Sequence, residues 1–286
     1  MTLVQSLQKS IDYMEAHLLE NISIEDIAKQ AHTSVFHFQR MFTLLTDIPV
    51  AEYLRRRRLT LAAHELSTSN VKVIDMAYKY GYDTPESFSK AFKKQHGISP
   101  REVKSFTGKM KSYNRLVIQV NVKGAEPMKY EMKEKGPIQV VGLKQEVSCV
   151  NGENHRVIPK LWDKVNENGT DQKLYELNNG DIKGVLGVCV DKSETKANHI
   201  DYWIAAAHEG DVPEGFSKLD LPASKWAVFE VHGPMPEAIQ KVWKQIYSEW
   251  FPSSGYRHAG TPDLEVYSEE DPYSEDYYSE IWIPVK

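Results

Sequence analysis

The sequence has few cysteines and no long apolar run, and each shortage excludes a class of protein. Only two of the 286 residues are cysteine, Cys149 and Cys189, and they lie far apart in the chain. Two such residues make neither a disulfide framework nor the paired spacing of a zinc site, so we expect two buried, reduced thiols. No stretch approaches the roughly 18 apolar residues that a membrane-spanning helix requires. We therefore expect no membrane contact and, because no secretory signal is recognised, a cytoplasmic location.

The ten histidines show no pairing at metal-ligand spacing on one expected helix. Nothing else in the sequence has the spacing of a metal or cofactor motif. We therefore predict no metal and no cofactor.

Charge is distributed unevenly along the chain. Residues 1–115 hold 17 Lys and Arg against 12 Asp and Glu, a net of +5, and the remaining residues hold 18 against 28, a net of −10. The length predicts two domains. The charge split favours a nucleic-acid partner for the first and another kind of partner for the second.

Residues 1–107 are predicted to form seven short amphipathic helices. Ser23 and Asp26 have capping-box spacing at the start of the second helix. Thr84 and Pro85 begin the sixth helix, and Gly97 ends it. The fourth helix, from about Pro49 to Leu66, is the longest.

A repeat at an offset of 49 to 50 residues divides this helical region. The corresponding residues are Ile27-Ala28 and Met76-Ala77, Phe38 and Phe88, Arg40 and Lys90, Phe42 and Phe92, and Ile48 and Ile98. Each copy has a short helix, a turn and a second helix, as in a helix-turn-helix motif. A plain helical bundle remains the alternative.

The second helix of each copy presents one polar face. Helical spacing places Val35, Phe38, Phe42 and Leu45 on one face of the first such helix, and Phe36, Gln39, Arg40 and Thr43 on the other. Amide and guanidinium groups pair bidentately with adenine and guanine edges. The second such helix exposes Glu86, Ser87, Lys90, Lys93 and Lys94. We predict DNA contacts for these two faces, against the alternative of ordinary solvated surfaces. We also expect one or two residues of the run Arg55–Arg58 to face DNA.

Strand-forming segments follow a predicted linker at residues 108–126, which is expected to include a short strand at Leu116–Val120. The expected strands are 128–133, 138–147, 183–191, 200–208, 225–232, 264–269 and 277–284, and the expected helices are 154–167 and 236–249. One helix per group of strands predicts an α+β domain of two similar halves over residues 127–286.

The last expected strand places a carboxylate between two aromatic residues. Alternation puts Tyr278, Glu280 and Trp282 on one side, which suits a cation by charge and by cation–π attraction. An outer strand with Glu280 facing water is the alternative. Trp162, Trp203 and Tyr267 are further candidates for lining such a site, with plain core packing as their alternative.

The helical region resembles the AraC/XylS family of bacterial transcription regulators over about residues 5–106. The resemblance rests on Ile74–Ala77 through Tyr80–Tyr82, and on Ser87–Lys94 through Gly97–Pro100, while Phe36–Phe42 is similar to the first recognition helix of the Rob, MarA and SoxS branch. It implies that Phe36, Gln39 and Arg40 read one major groove and Glu86, Ser87 and Lys90 the next. Lys90 departs from the arginine of that branch, and His32 stands where a turn glycine is common.

Residues 127–286 resemble GyrI-like effector-binding domains. The similar residues are Lys225–Phe229, Gly233-Pro234, Trp243, Trp250–Tyr256 and Glu280–Val285. This resemblance implies two pseudo-symmetric β-α-β units with an aromatic pocket between them, often containing a carboxylate, for hydrophobic cations or amphipathic compounds.

We therefore expect a transcription regulator, acting as an activator, that binds double-stranded DNA and a small-molecule effector and contacts RNA polymerase. We do not expect an enzyme. The alternative is a C-terminal domain that hydrolyses a reactive small molecule, with Glu280 and a nearby tyrosine as acid and base.

Overall fold

The computed structural model describes residues 3–118, 128–149, 153–192, 195–196 and 198–286. These residues form two compact units. The first comprises residues 3–32 and 46–118, and the second comprises residues 33–45 and the described residues from 128 onwards. The predicted domain boundaries, 1–107, 108–126 and 127–286, stay predictions. Of the predicted strand at Leu116–Val120, residues 116–118 are not a strand, and the rest lies outside the described residues.

The first unit is helical. Its helices are α1 (Leu3–Ala16), α2 (Ile24–Gln30), α4 (Val50–Thr68), α5 (Val73–Lys79), α6 (Pro85–His96) and a 3₁₀ helix (Pro100–Ser105), while nearly all of α3 (Val35–Thr46) belongs to the second unit. The seven predicted helical segments are therefore present, the last as a 3₁₀ helix. None of the described helices is both long enough and apolar enough to cross a membrane.

The predicted helix ends of this unit are confirmed. Ser23 Oγ accepts a hydrogen bond from the Asp26 backbone N–H at 3.1 Å. Thr84 Oγ1 accepts one from the Ser87 backbone N–H at 3.1 Å. These bonds satisfy amides that have no partner in the first turn of a helix. Gly97 ends α6 in the left-handed region, at φ 83°.

The sequence repeat is also visible in the backbone. His32 and Gly81 both have positive φ, 53° and 80°, and so do Asp47 and Gly97, at 57° and 83°. Each pair is separated by the repeat offset. A turn that needs a left-handed residue therefore occurs at corresponding places in both copies, and His32 supplies it where glycine is common.

The core of the first unit lies around α4 and the second copy of the repeat. Leu59, Met76, Ala77, Phe88 and Phe92 are all buried in it.

The four arginines of α4 all bind protein groups. Arg55 and Arg56 pair with Glu52. Arg57 Nε donates to Glu15 Oε1 at 2.8 Å, and Arg58 Nε donates to a backbone carbonyl at 2.6 Å. All four guanidinium groups therefore have partners within the protein. Contact of one or two of these arginines with DNA stays a prediction.

The second unit contains an eight-stranded antiparallel sheet in the order β1-β6-β8-β7-β3-β4-β2-β5. The strands are β1 (Tyr130–Lys135), β2 (Ile138–Ser148), β3 (Val185–Asp191), β4 (His199–Ala207), β5 (Ser217–Leu221), β6 (Ser224–His232), β7 (Asp263–Tyr267) and β8 (Tyr278–Val285). The helices are α7 (Asn154–Glu167), α8 (Thr170–Leu177), α9 (Glu237–Gln245) and α10 (Phe251–Ser254), with a π-helical turn at Ile246–Trp250 between the last two.

The sheet has two matching halves, as predicted. One half runs β2, α7, α8, β3, β4, and the other runs β6, α9, α10, β7, β8. An edge strand completes each half, β5 beside β2 and β1 beside β6. The halves meet where β3 pairs with β7, with Gly187 opposite Glu265.

Side chains alternate between the two faces of this sheet. One face buries Trp203, Leu264, Trp282 and their neighbours in a core cluster. The other buries Tyr202, Ile204 and Val185 together with side chains of α7 and α8 and with Phe36 of α3. Residues one position apart in β4 or β7 therefore face different surroundings.

Candidate functional site

The predicted base-reading face of α3 contacts the sheet within the second unit. Phe36 is only 5% exposed and belongs to the cluster that contains Tyr202 and Trp162. Gln39 Nε2 donates to Asn198 Oδ1 at 3.3 Å. Thr43 is partly buried.

Arg40 makes the most extensive of these contacts. Its Nη2 lies 3.0 Å from Glu265 Oε1, and its Nη1 lies 3.5 Å from Asp263 Oδ2. Its guanidinium carbon lies 3.5 Å from the ring centroid of Trp243. Burial by itself lowers the pKa of Arg40, but the charges of Glu265 and Asp263 raise it above its usual value. The guanidinium is therefore a fixed cation between two acids and an aromatic face.

Glu265 is the carboxylate at the centre of this arrangement. Trp243 Nε1 donates to its Oε1 at 2.8 Å, and Tyr267 Oη donates to its Oε2 at 3.0 Å. Its side chain is 16% exposed. Burial and the charge of Glu265 raise the pKa of Tyr267 well above its usual value, so this hydroxyl stays a donor. Two aromatic donors thus orient a desolvated acid toward α3.

The sequence reasoning missed Glu265, Asp263 and Trp243 as site residues. A signal for the acids was present, since Asp263, Glu265 and Tyr267 alternate along β7 in the same way as Tyr278, Glu280 and Trp282 in β8. Trp243 had no comparable signal, because its position on an amphipathic helix predicts core packing equally well.

Two imidazoles, the buried His37 and the partly buried His258, lie next to Arg40. The rings of His37 and His258 are 3.7 Å apart, and His258 Nε2 lies 2.6 Å from Asp263 Oδ1. Burial, with the charge of His258, lowers the pKa of His37 to about 3. Burial would raise the pKa of Asp263, but His258, His37 and Arg40 lower it to about 2. His37 is therefore neutral and Asp263 ionised near neutral pH.

By distance alone, His37, His258 and Asp263 could also hold a metal ion. Their ligand atoms all lie within 4.8 Å of one another. The guanidinium of Arg40, 3.5 Å from Asp263 Oδ2, opposes a second cation there. The acid is thus better matched to Arg40 than to a metal.

Comparison with known proteins assigns the two parts of the chain. Residues 27–105 match the model of a helix-turn-helix domain, and residues 128–286 match that of a GyrI-like small molecule binding domain. The regulatory protein SoxS of Salmonella typhimurium is 34% identical over 98 residues, which cover 34% of this chain and 92% of SoxS. The chain belongs to the AraC/XylS family and carries a GyrI-like domain. The family resemblance seen in the sequence is thereby confirmed.

Other relatives match one part of this chain. The transcriptional activator AarP of Providencia stuartii is 44% identical over 88 residues, covering 31% of this chain and 65% of AarP, so the chain spans less than two thirds of that protein. A solved structure of SAV2435 bound to tetraphenylphosphonium is 28% identical, with a TM-score of 0.50, and covers 56% of this chain and 94% of that chain.

The six predicted effector residues of the GyrI-like domain lie on both faces of its sheet. Trp162 and Tyr267 lie on the face of Glu265, with ring centroids 4.8 Å apart, and Trp162 Nε1 donates to Tyr202 Oη at 2.8 Å. Trp203 and Trp282 belong to the core cluster of the opposite face.

On that opposite face, Glu280 lies between its two aromatic neighbours. Tyr278 Oη and Trp282 Nε1 each donate to a Glu280 carboxylate oxygen at 2.6 Å. The Lys133 ammonium lies 4.8 Å from the Trp282 ring centroid. As effector residues, all six stay predictions.

The predicted base-reading residues of α6 are exposed. Glu86, Ser87, Lys90 and Lys94 all lie on the surface of the first unit, while Phe88 and Phe92 of the same helix are buried. Ser87 Oγ donates to the backbone carbonyl of Thr84 at 2.8 Å. The side chains that would reach DNA are thus presented on one face, and their contacts with bases remain a prediction.

Proposed function

We propose that this chain is a DNA-binding transcription regulator whose GyrI-like domain binds a hydrophobic, cationic effector at Glu265. The observation that carries the proposal is a partly buried carboxylate, held by Trp243 and Tyr267, beside an aromatic face that already holds a guanidinium. A carboxylate in low dielectric next to an aromatic face attracts cations strongly. Tetraphenylphosphonium, bound by SAV2435, is a cation of this class.

DNA recognition in this proposal uses α3 and α6. Phe36, Gln39, Arg40 and Thr43 read one major groove, and Glu86, Ser87, Lys90 and Lys94 read the next. The exposure of the α6 residues and the likeness to SoxS support this part. The likeness to the activator AarP supports activation, with RNA polymerase as the partner that such a regulator would contact.

The predicted effector residues fall into two groups, one on each face of the sheet. Trp162 and Tyr267 lie beside Glu265 and line its site. Tyr278, Glu280, Trp282 and Trp203 would form a second site on the opposite face. Glu280 is thus a carboxylate whose removal distinguishes the two faces.

The hydrolase alternative has less support. Burial and the charge of Glu280 raise the pKa of Tyr278, which makes this hydroxyl a weaker acid. The relatives AarP and SoxS carry regulator names. We therefore favour sensing over catalysis.

Titration of the full chain with tetraphenylphosphonium, followed by tryptophan fluorescence, tests the site. We expect Glu265→Gln to weaken binding by about tenfold or more, because the pairing charge is lost while the shape is kept. Glu269→Gln is the matched control, since Glu269 is an exposed acid just after β7. Equal loss in the control, or loss in Glu280→Gln but not in Glu265→Gln, would contradict this placement of the site.

A further inference from the structure

We propose that Arg40 of α3 occupies the effector's place at Glu265, so that a cationic effector must displace α3 and thereby frees it for DNA. The inference rests on the proposed function and adds a regulatory mechanism to it. The Glu265 carboxylate holds Arg40, a side chain that is predicted to read a base.

Phe36 and Arg40 together have the chemistry of a hydrophobic cation. The guanidinium contacts Glu265 and the face of Trp243, and the Phe36 ring is buried with Trp162 and Tyr202. The guanidinium carbon lies 6.0 Å from the Phe36 ring centroid. Arg40 and Phe36 therefore occupy the surroundings of Glu265 with a positive charge and an aromatic ring, as an aromatic cation would.

The same contacts withhold α3 from DNA. Arg40 bound to Glu265 cannot also pair with a guanine edge, and Gln39 bound to Asn198 cannot also pair with an adenine. The packed ring of Phe36 is equally withdrawn. Docking of α3 on the sheet and base reading by α3 are therefore mutually exclusive.

Thermodynamic linkage determines whether the effector strengthens or weakens DNA binding. The effector binds the sheet only after α3 leaves, and DNA binds α3 only after it leaves the sheet. Each ligand favours the released state, so each must raise the affinity for the other. We therefore expect the effector to strengthen DNA binding.

Tetraphenylphosphonium affinity of full-length variants tests the competition. Removing the internal competitor by Arg40→Ala should tighten binding by about 5- to 150-fold, the usual range of coupling between two states. Phe36→Ser should act in the same direction while keeping the guanidinium, and it decides the matter if the Arg40 variant does not fold. Arg101→Ala is the matched control, because Arg101 is exposed in the first unit.

The outcomes separate this inference from the proposed function. Wild-type affinity in both the Arg40→Ala and Phe36→Ser variants would overturn the competition. The Arg40→Ala/Glu265→Gln double variant, compared with Arg40→Ala alone, measures the direct contribution of Glu265 with the competitor absent. Equal affinity in those two proteins would overturn the effector site itself. Weaker binding in the double variant than in Arg40→Ala would support the site, and the comparison of Arg40→Ala and Phe36→Ser with the wild type then decides the competition.

Discussion

Acidification should release α3, because docking keeps His37 neutral. Burial and the charge of His258 lower its pKa from 6.5 to about 3. The charged and titratable groups around it are His258, Asp263, Arg40 and Asp191. Asp263, with its pKa lowered to about 2, stays ionised above pH 4. The contribution of neutral His37 is therefore complete above pH 6.5 and is lost as the pH falls toward 3.

The size of the effect follows from these two pKa values. Released His37 gains a proton below its ordinary pKa of 6.5, while docked His37 does not until about pH 3. A change from pH 7 to pH 5 should therefore favour release by about 2 kcal/mol, or about 25-fold. The same factor should appear as tighter binding of tetraphenylphosphonium, whose own charge does not depend on pH.

Titrations of the full chain at pH 7, 6 and 5 measure this effect, with His37→Asn as the neutral control. We expect affinity to rise with acidity in the wild type and to change much less in the variant. The same pH dependence in both proteins would refute the role of His37, and a pH-independent wild type would refute release by protonation.

Three further predictions concern packing and local structure. Phe92→Ala should lower the free energy of unfolding, measured in urea, by about 3–5 kcal/mol, because Phe92 is fully buried. Phe106→Ala is its control, since Phe106 is 36% exposed. A similar small loss in both variants would contradict the assigned core. Thr84→Ala should cost about 1 kcal/mol through loss of the α6 cap, with Thr84→Ser retaining most of it, and equal melting of the two variants would count against the cap. Gly187→Ala, made in the Arg40→Ala protein, should weaken tetraphenylphosphonium binding. The added Cβ would lie 2.6 Å from Tyr202 Oη and 3.4 Å from Glu265 Oε2. Unchanged affinity would exclude Gly187 from the site.

Much of the fold is predictable from the sequence because helix-capping residues and the alternation of side chains along strands agree with it. Ser23, Thr84 and Gly97 mark helix ends with side chains or conformations that those positions require. Alternation in β8 correctly placed Glu280 between Tyr278 and Trp282. Three short elements were missed, namely β5, α8 and the four-residue helix α10. The edge strand β5 is largely exposed and polar, and α8 is a short helix with Leu174 as its buried residue, so neither has a strong periodic pattern.

The site around Glu265 was not predictable in the same way. Its acid lies on β7, its aromatic donor Trp243 on α9 and its bound cation on α3, 225 positions away from Glu265 in sequence. Only the tertiary fold brings these groups together. A single strand shows which side chains share a face, but not which helix covers that face or which residue it places there.

If Arg40 binds the sheet and DNA in turn, the cation and DNA must affect each other's binding, and this coupling can be measured directly. A duplex selected from a random library by the full-length chain would be titrated with and without saturating tetraphenylphosphonium, followed by fluorescence anisotropy. We expect DNA affinity to be higher by about 5- to 150-fold with the cation present. Unchanged or weaker DNA binding in the presence of the cation would contradict it.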